Sequence, residues 1–110
     1  MKYSDQQRIE KIRETTEKLL NYVQREQITP ERICQEEPLQ WTVTTPLYNI
    51  GEQIYNLSDN FKKAHPEIPW IKISGLRHRL VYHDEDTNWS VICAIIFDVL
   101  PDFLEELKGL

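Results

Sequence analysis

The chain is poor in the residues that build loops, bridges and metal cages: its 110 residues include three glycines and two cysteines. Gly51, Gly75 and Gly109 stand far apart, which excludes a phosphate-cradling glycine loop and a Gly-x-Ser-x-Gly nucleophile elbow. Cys34 and Cys93 lack the paired spacing of a zinc site, and in a reducing compartment they are expected as two free thiols in a helical core. Long apolar runs are also missing. The uncharged stretch from Thr87 to Phe97 is closed by Asp98 and is too short to span a bilayer, while the start, Lys2 to Lys11, is polar and shows no export signal. A cytoplasmic protein without a membrane partner is therefore expected. Positive charge is in deficit too: the net charge of −5 argues against a broad nucleic-acid surface and leaves room for a local one.

What is present reads as helix. A hydrophobic content of 40% with 28% charged residues describes a globular chain, and its length suits one domain, residues 1–110, around one core. Ser4 and Gln7 have the spacing of a capping box, and Ile9, Ile12, Thr16, Leu19, Leu20 and Val23 then share one face, which predicts a helix to about Arg25. Thr29 and Pro30 open a short helix around Glu31 to Gln35, and Glu36, Glu37 and Pro38 separate it from the next element. Val43, Leu47, Ile50, Ile54, Leu57 and Phe61 step by four, three, four, three and four, so a long helix is predicted from Leu39 to Ala64, kinked or split at Pro46. On it, Gly51 lets another helix approach closely, and Glu52 either faces solvent or reaches toward Arg77.

His65-Pro66 stops that helix, and Pro69-Trp70 opens the next, whose apolar positions are Ile73, Leu76 and Leu80. A polar turn from Asp84 to Asn88 follows, with Thr87 or Asn88 as cap. The last helix, Trp89 to Leu100, has almost no polar face, which predicts burial all round at a bundle centre or between two subunits; Pro101 interrupts it before Phe103, Leu104 and Leu107. No strand, repeat or low-complexity linker is legible. The fold class is all-α, a helical bundle.

The stretch His65 to His83 stands apart chemically. It holds all three histidines, and from Lys62 to His83 five Lys or Arg oppose one Glu, a local +4 in an acidic chain. Such an island suits a phosphate and a proton transfer near neutral pH; it is also what an ordinary solvated helix face looks like.

The run YNIGEQIYNLSDNFKKAHPEIPWIKISGLRHRLVYH, followed by Asn88-Trp89 and an apolar helix ending in DVLPDFLEELK, resembles the HepT family of HEPN-domain toxins, and QRIEKIRETTEKLLNYV fits that family's first helix. The resemblance implies a HEPN-type up-and-down bundle of four to five helices, paired as a homodimer. It implies a metal-independent ribonuclease needing no cofactor, held in check by an MntA-type nucleotidyltransferase antitoxin that adds AMP to a tyrosine. The family signature is an arginine, a polar residue, a few more residues and a histidine, and by it Arg77 and His83 are the catalytic candidates, with His78 in the polar place. Five residues separate Arg77 from His83 where HepT has four, so Tyr82 occupies the histidine register, and Asp84 and Glu85 stand where the modified tyrosine would be.

On a regular helix Arg77 and His83 lie ~120° off a common face with ~9 Å of rise between them, so convergence requires an irregular helix end or a second copy of the helix. The chemistry implied is proton transfer by His83 and charge stabilisation by Arg77, with His78, Tyr82 and Glu52 in support. The alternative is a catalytically degenerate helical dimer that binds the nucleotidyltransferase or RNA.

Overall fold

In the computed structural model, which describes residues 3–81 and 87–110, all regular structure is helical: α1 Asp5–Arg25, α2 Pro30–Gln35, α3 Glu37–Tyr55, α4 Asp59–Ala64, α5 Trp70–Ser74, α6 Leu76–Val81, α7 Trp89–Ala94, a π-helical turn Ile95–Val99, and α8 Leu100–Lys108. This is the expected all-α bundle. α3 is its hub, packing on α1, α2, α5 and α6, while α1 also meets α8 and α2 meets α7.

The first helix starts as its capping box dictates: Ser4 Oγ accepts the Gln7 amide at 3.1 Å, and Gln7 Oε1 accepts the Ser4 amide at 2.8 Å. Ile9, Ile12, Thr16, Leu19 and Val23 turn inward against Val43, Leu47, Ile50 and Ile54 of α3, all within one apolar core. Thr29 caps α2 through Arg32 N at 3.2 Å, and Gln40 ties the start of α3 to the Ile33 carbonyl at 2.8 Å.

The break in the long second helix falls elsewhere than expected. The helix runs through Pro46 without splitting: the half-buried ring lines a cleft with Leu19 and Tyr22 of α1, and the carbonyl that loses its donor belongs to Thr42, an exposed residue. The stop comes at Asn56–Ser58 instead. Asp5 on α1 accepts the Ser58 amide at 2.9 Å and the Ser58 hydroxyl at 2.6 Å, and that hydroxyl in turn accepts Phe61 N at 3.1 Å to start α4. A tertiary contact thus turns Ser58 into an N-cap that the heptad-like pattern conceals. The Ser58 hydrogen bonds, side chain first and then backbone, hold the Asp5 carboxyl below its ordinary range. Lys62 sends its ammonium back to the Ile54 carbonyl at 3.4 Å, a cation at the C-terminal end of α3.

The segment Trp70 to Val81 is interrupted at Gly75. Trp70 is buried, donates from Nε1 to the His65 carbonyl at 2.9 Å, and meets Phe103 edge-on at 6.2 Å. His65 stacks at a tilt on Phe61 and lies 3.7 Å from Glu67. It serves to anchor the α4–α5 connection.

The last helix departs from the bundle-centre reading and from the expected break at Pro101. It is not covered all round within one chain, since Ser90, Ala94 and Asp98 form an exposed strip beside half-buried Val91, Phe97 and Val99. Pro101 does not interrupt it, because it occupies the first turn of α8 where its missing N–H goes unneeded. The irregularity lies one turn earlier, where Leu100 N–H bonds to the Ile95 carbonyl five residues back and absorbs one extra residue. Asn88 caps α7, accepting the Ser90 and Val91 amides at 3.1 and 3.3 Å. Cys93 is buried as expected, but Cys34 is exposed, because α2 is a short outer helix that buries only Ile33. Among the described residues no helix is long and apolar enough to cross a membrane.

Candidate active site around Arg77

α6 is anchored by Leu76 and Leu80, four residues apart and both buried, so their neighbours distribute around the rest of the helix. Arg77 falls on the side facing α3, while His78 and Arg79 point outward and are exposed. The approach of α6 to α3 is close enough to involve backbone. A Cβ placed on Gly51 would lie 2.9 Å from the Arg77 amide nitrogen and 3.4 Å from its Cβ, so only glycine fits here without movement.

That approach delivers Arg77 onto the next turn of α3. Its Nε donates to Glu52 Oε1 at 2.5 Å, and its guanidinium carbon sits 4.1 Å from the centre of the Tyr55 ring. Glu52 and Tyr55 are three residues apart on one helix face, so one grips the edge of the guanidinium and the other supports its plane. The side chains of Arg77 and Glu52 are 27% and 37% exposed, a half-sheltered ion pair with access to solvent. Such a pair holds geometry more than it adds stability. The next residue, Gln53, faces α1 instead, where its Oε1 accepts Arg8 Nη1 at 2.8 Å.

Of the sequence-derived site residues, the structure joins Arg77 to Glu52 and leaves His78 apart on the outer face of α6. Tyr82 and His83 lie outside the described residues, as do Asp84 and Glu85. Tyr55 is the contact that sequence reasoning missed. The usable signal is its i+3 spacing from Glu52, which places it wherever Glu52 points. Among the described residues no group of three or more His, Cys, Asp or Glu is arranged to hold a metal ion.

Residues 6–110 match the family described as Ribonuclease HepT-like. A protein named "Probable ribonuclease HepT" from Thermococcus cleftensis is 29% identical over 109 residues, covering 99% of this chain and 94% of that one. An RNase-named protein of Methanocaldococcus jannaschii is 27% identical over 81 residues, covering 74% of this chain and 67% of its own length. Another RNase-named protein, from Caldanaerobacter subterraneus, is 30% identical over 59 residues, covering 54% and 53%. No solved structure gives a significant match. With the match spanning all but the first five residues, the chain belongs to the HepT-like ribonuclease family.

Proposed function

We propose that the protein is a metal-independent endoribonuclease acting on RNA at a site built around Arg77 and His83. The observation that carries this reading is the seating of Arg77: a guanidinium fixed by Glu52 through Nε and backed by Tyr55, yet still solvent-accessible. A cation so held is pre-organised to meet a phosphodiester without reorganising. In the proposed reaction His83 takes the proton of an RNA 2′-hydroxyl, the 2′-oxygen bonds to phosphorus, and Arg77 balances the charge gathering on the non-bridging oxygens. The bond to the 5′-oxygen breaks, that oxygen is protonated, and a cyclic phosphate and a 5′-hydroxyl result. His78 and Tyr82 assist in positioning the substrate, and Glu52 positions Arg77.

The wider reading is a toxin of a toxin-antitoxin pair, cytoplasmic and homodimeric, with an MntA-type nucleotidyltransferase as partner. Supporting the homodimer is an apolar groove of about 680 Å³ between α5 and the α7–π segment, with Ile71 89% exposed at its rim. Light scattering at twice the 13.2 kDa chain mass checks the dimer, and a nucleotidyltransferase reading frame beside this one that co-purifies with the protein checks the pair.

Arg77→Ala and His83→Ala are each expected to lower RNA cleavage by about 100- to 10,000-fold with circular dichroism unchanged, while Arg79→Ala and Tyr82→Phe do much less. Purified protein that cleaves no RNA, or a His83→Ala variant as active as the parent, favours the binding-subunit alternative instead.

A further inference from the structure

The two cysteines are 59 positions apart in the chain and take no part in the site around Arg77, yet the fold brings them to one cleft. α2 packs directly on α7, and between them lies a cleft of about 490 Å³ whose lining includes Glu31, Cys34, Ser90, Cys93, Phe97 and Asp98. Cys93 Sγ lies 3.8 Å from the Pro30 carbonyl oxygen. In an α-helix that carbonyl points along the axis at the residue four further on, which here is Cys34. The Cys93 sulfur therefore sits against the turn of α2 that ends in Cys34. One thiol is open to solvent and the other is buried behind it. This is the layout of an attacking and a resolving cysteine, and the cleft walls specify what reaches them: two carboxylates, Glu31 and Asp98, with no cation lining it among the described residues.

We propose that Cys34 and Cys93 form a thiol–disulfide exchange site for small disulfides that are neutral or carry amines, independent of the nuclease reaction. The Cys34 thiolate attacks one sulfur of the small disulfide, forming a mixed disulfide and expelling one small thiol. Cys93, having lost its proton to solvent, then attacks the Cys34 sulfur and expels the second. Two protein thiols are oxidised to one disulfide, the small disulfide is reduced to two thiols, and the two protons end on those thiols. Burial first, then the neighbouring Cys34 and the Glu31 carboxylate, push the Cys93 thiol up to about 11. Burial persists while Cys34 is held as the mixed disulfide, so ring closure is the slow step at neutral pH and accelerates as pH rises.

The test exposes the full chain to cystamine, with glutathione disulfide as the anionic comparison, and follows intact mass and a non-reduced peptide map. The expected product is an intramolecular Cys34–Cys93 bridge, formed several-fold faster from cystamine at low salt, the preference shrinking as salt is raised. Because the bridge closes a loop of about 60 residues, the midpoint of thermal unfolding is expected to rise by about 10 °C and to return on reduction. Cys93→Ala is expected to stop at a stable mixed disulfide on Cys34, and Cys34→Ser to remain unmodified. A parent chain that halts at the mixed disulfide, cross-links between molecules, or does not react overturns the proposal. Should Cys93→Ala fail to fold, the parent's peptide map and the exposed-site variant Cys34→Ser decide it alone.

Discussion

The two halves of α3 carry the same apolar spacing and each contains a residue poor at forming helices, yet the two residues are used oppositely. In the upstream half Pro46 sits on the α1 side of the helix, next to a cleft of about 250 Å³ that also touches Leu19, Tyr22 and Thr42. The contact there is loose. In the downstream half Gly51 lies against the backbone of Arg77, with no room for one more carbon. Pro46 is tolerated by its surroundings, whereas Gly51 is required by them. The difference is a matter of what faces each position: flexible side chains and solvent in one case, a peptide backbone in the other. A helix-breaking residue is therefore informative about function only when its neighbour cannot move.

The largest effect is expected from closing the tight half. Gly51→Ala places a methyl group 2.9 Å from the Arg77 amide nitrogen, so α6 must shift. We expect a loss of about 1–3 kcal/mol in urea unfolding, typical of overpacking. RNA cleavage should fall as well, because Arg77 leaves its seat on Glu52 and Tyr55. A Gly51→Ala protein as stable as the parent would remove the distinction between the two halves.

The loose half should respond with the opposite sign and a smaller size. Pro46→Ala restores an N–H for the Thr42 carbonyl and a better helix former, at the loss of the ring that lines the cleft beside α1. A gain of about 1 kcal/mol is expected, below the roughly 3 kcal/mol propensity difference because the helix already accommodates the ring. An equal loss instead would mean that Pro46 is as demanded by its surroundings as Gly51.

The smallest effect concerns the stop that ends the downstream half. Asp5 has a folded-state pKa depressed by its hydrogen bonds to Ser58, so its contribution is present above the unfolded carboxylate pKa and is lost as pH falls through the folded value. The group is only partly buried at the surface, which keeps the effect small through solvent screening. Asp5→Asn should lower the thermal midpoint by about 1–2 °C at neutral pH, with the gap to the parent closing on the acid side. A gap that persists below the folded pKa would assign the effect to packing rather than charge.

Periodicity alone was sufficient for the buried faces of α1 and α3. Ile9, Ile12, Leu19 and Val23, and likewise Val43, Leu47, Ile50 and Ile54, lie in the core as their spacing predicts, because a helix buries whatever stripe is apolar regardless of its partner. Local capping chemistry was equally legible at Ser4, Thr29 and Asn88, since each cap satisfies amides within its own turn. The end of α3 was not legible, because its stop signal is the carboxylate of Asp5, 53 residues away, acting on Ser58. The π turn before Pro101 was likewise hidden, since it shifts register without changing the apolar pattern.

The candidate site divides in the same way. Arg77 and His83 could be named from residue type and family likeness, and Glu52 and Gly51 from their place on a helix. That Glu52 turns to Arg77 rather than to water, and that Tyr55 completes the seat, was decided by the rotation of α6 about buried Leu76 and Leu80. The pairing of exposed Cys34 with buried Cys93 was decided by the packing of α2 on α7. Sequence determines which face of each helix is apolar; only tertiary structure decides which polar groups on the remaining faces meet, because that depends on the angle and offset at which two helices settle.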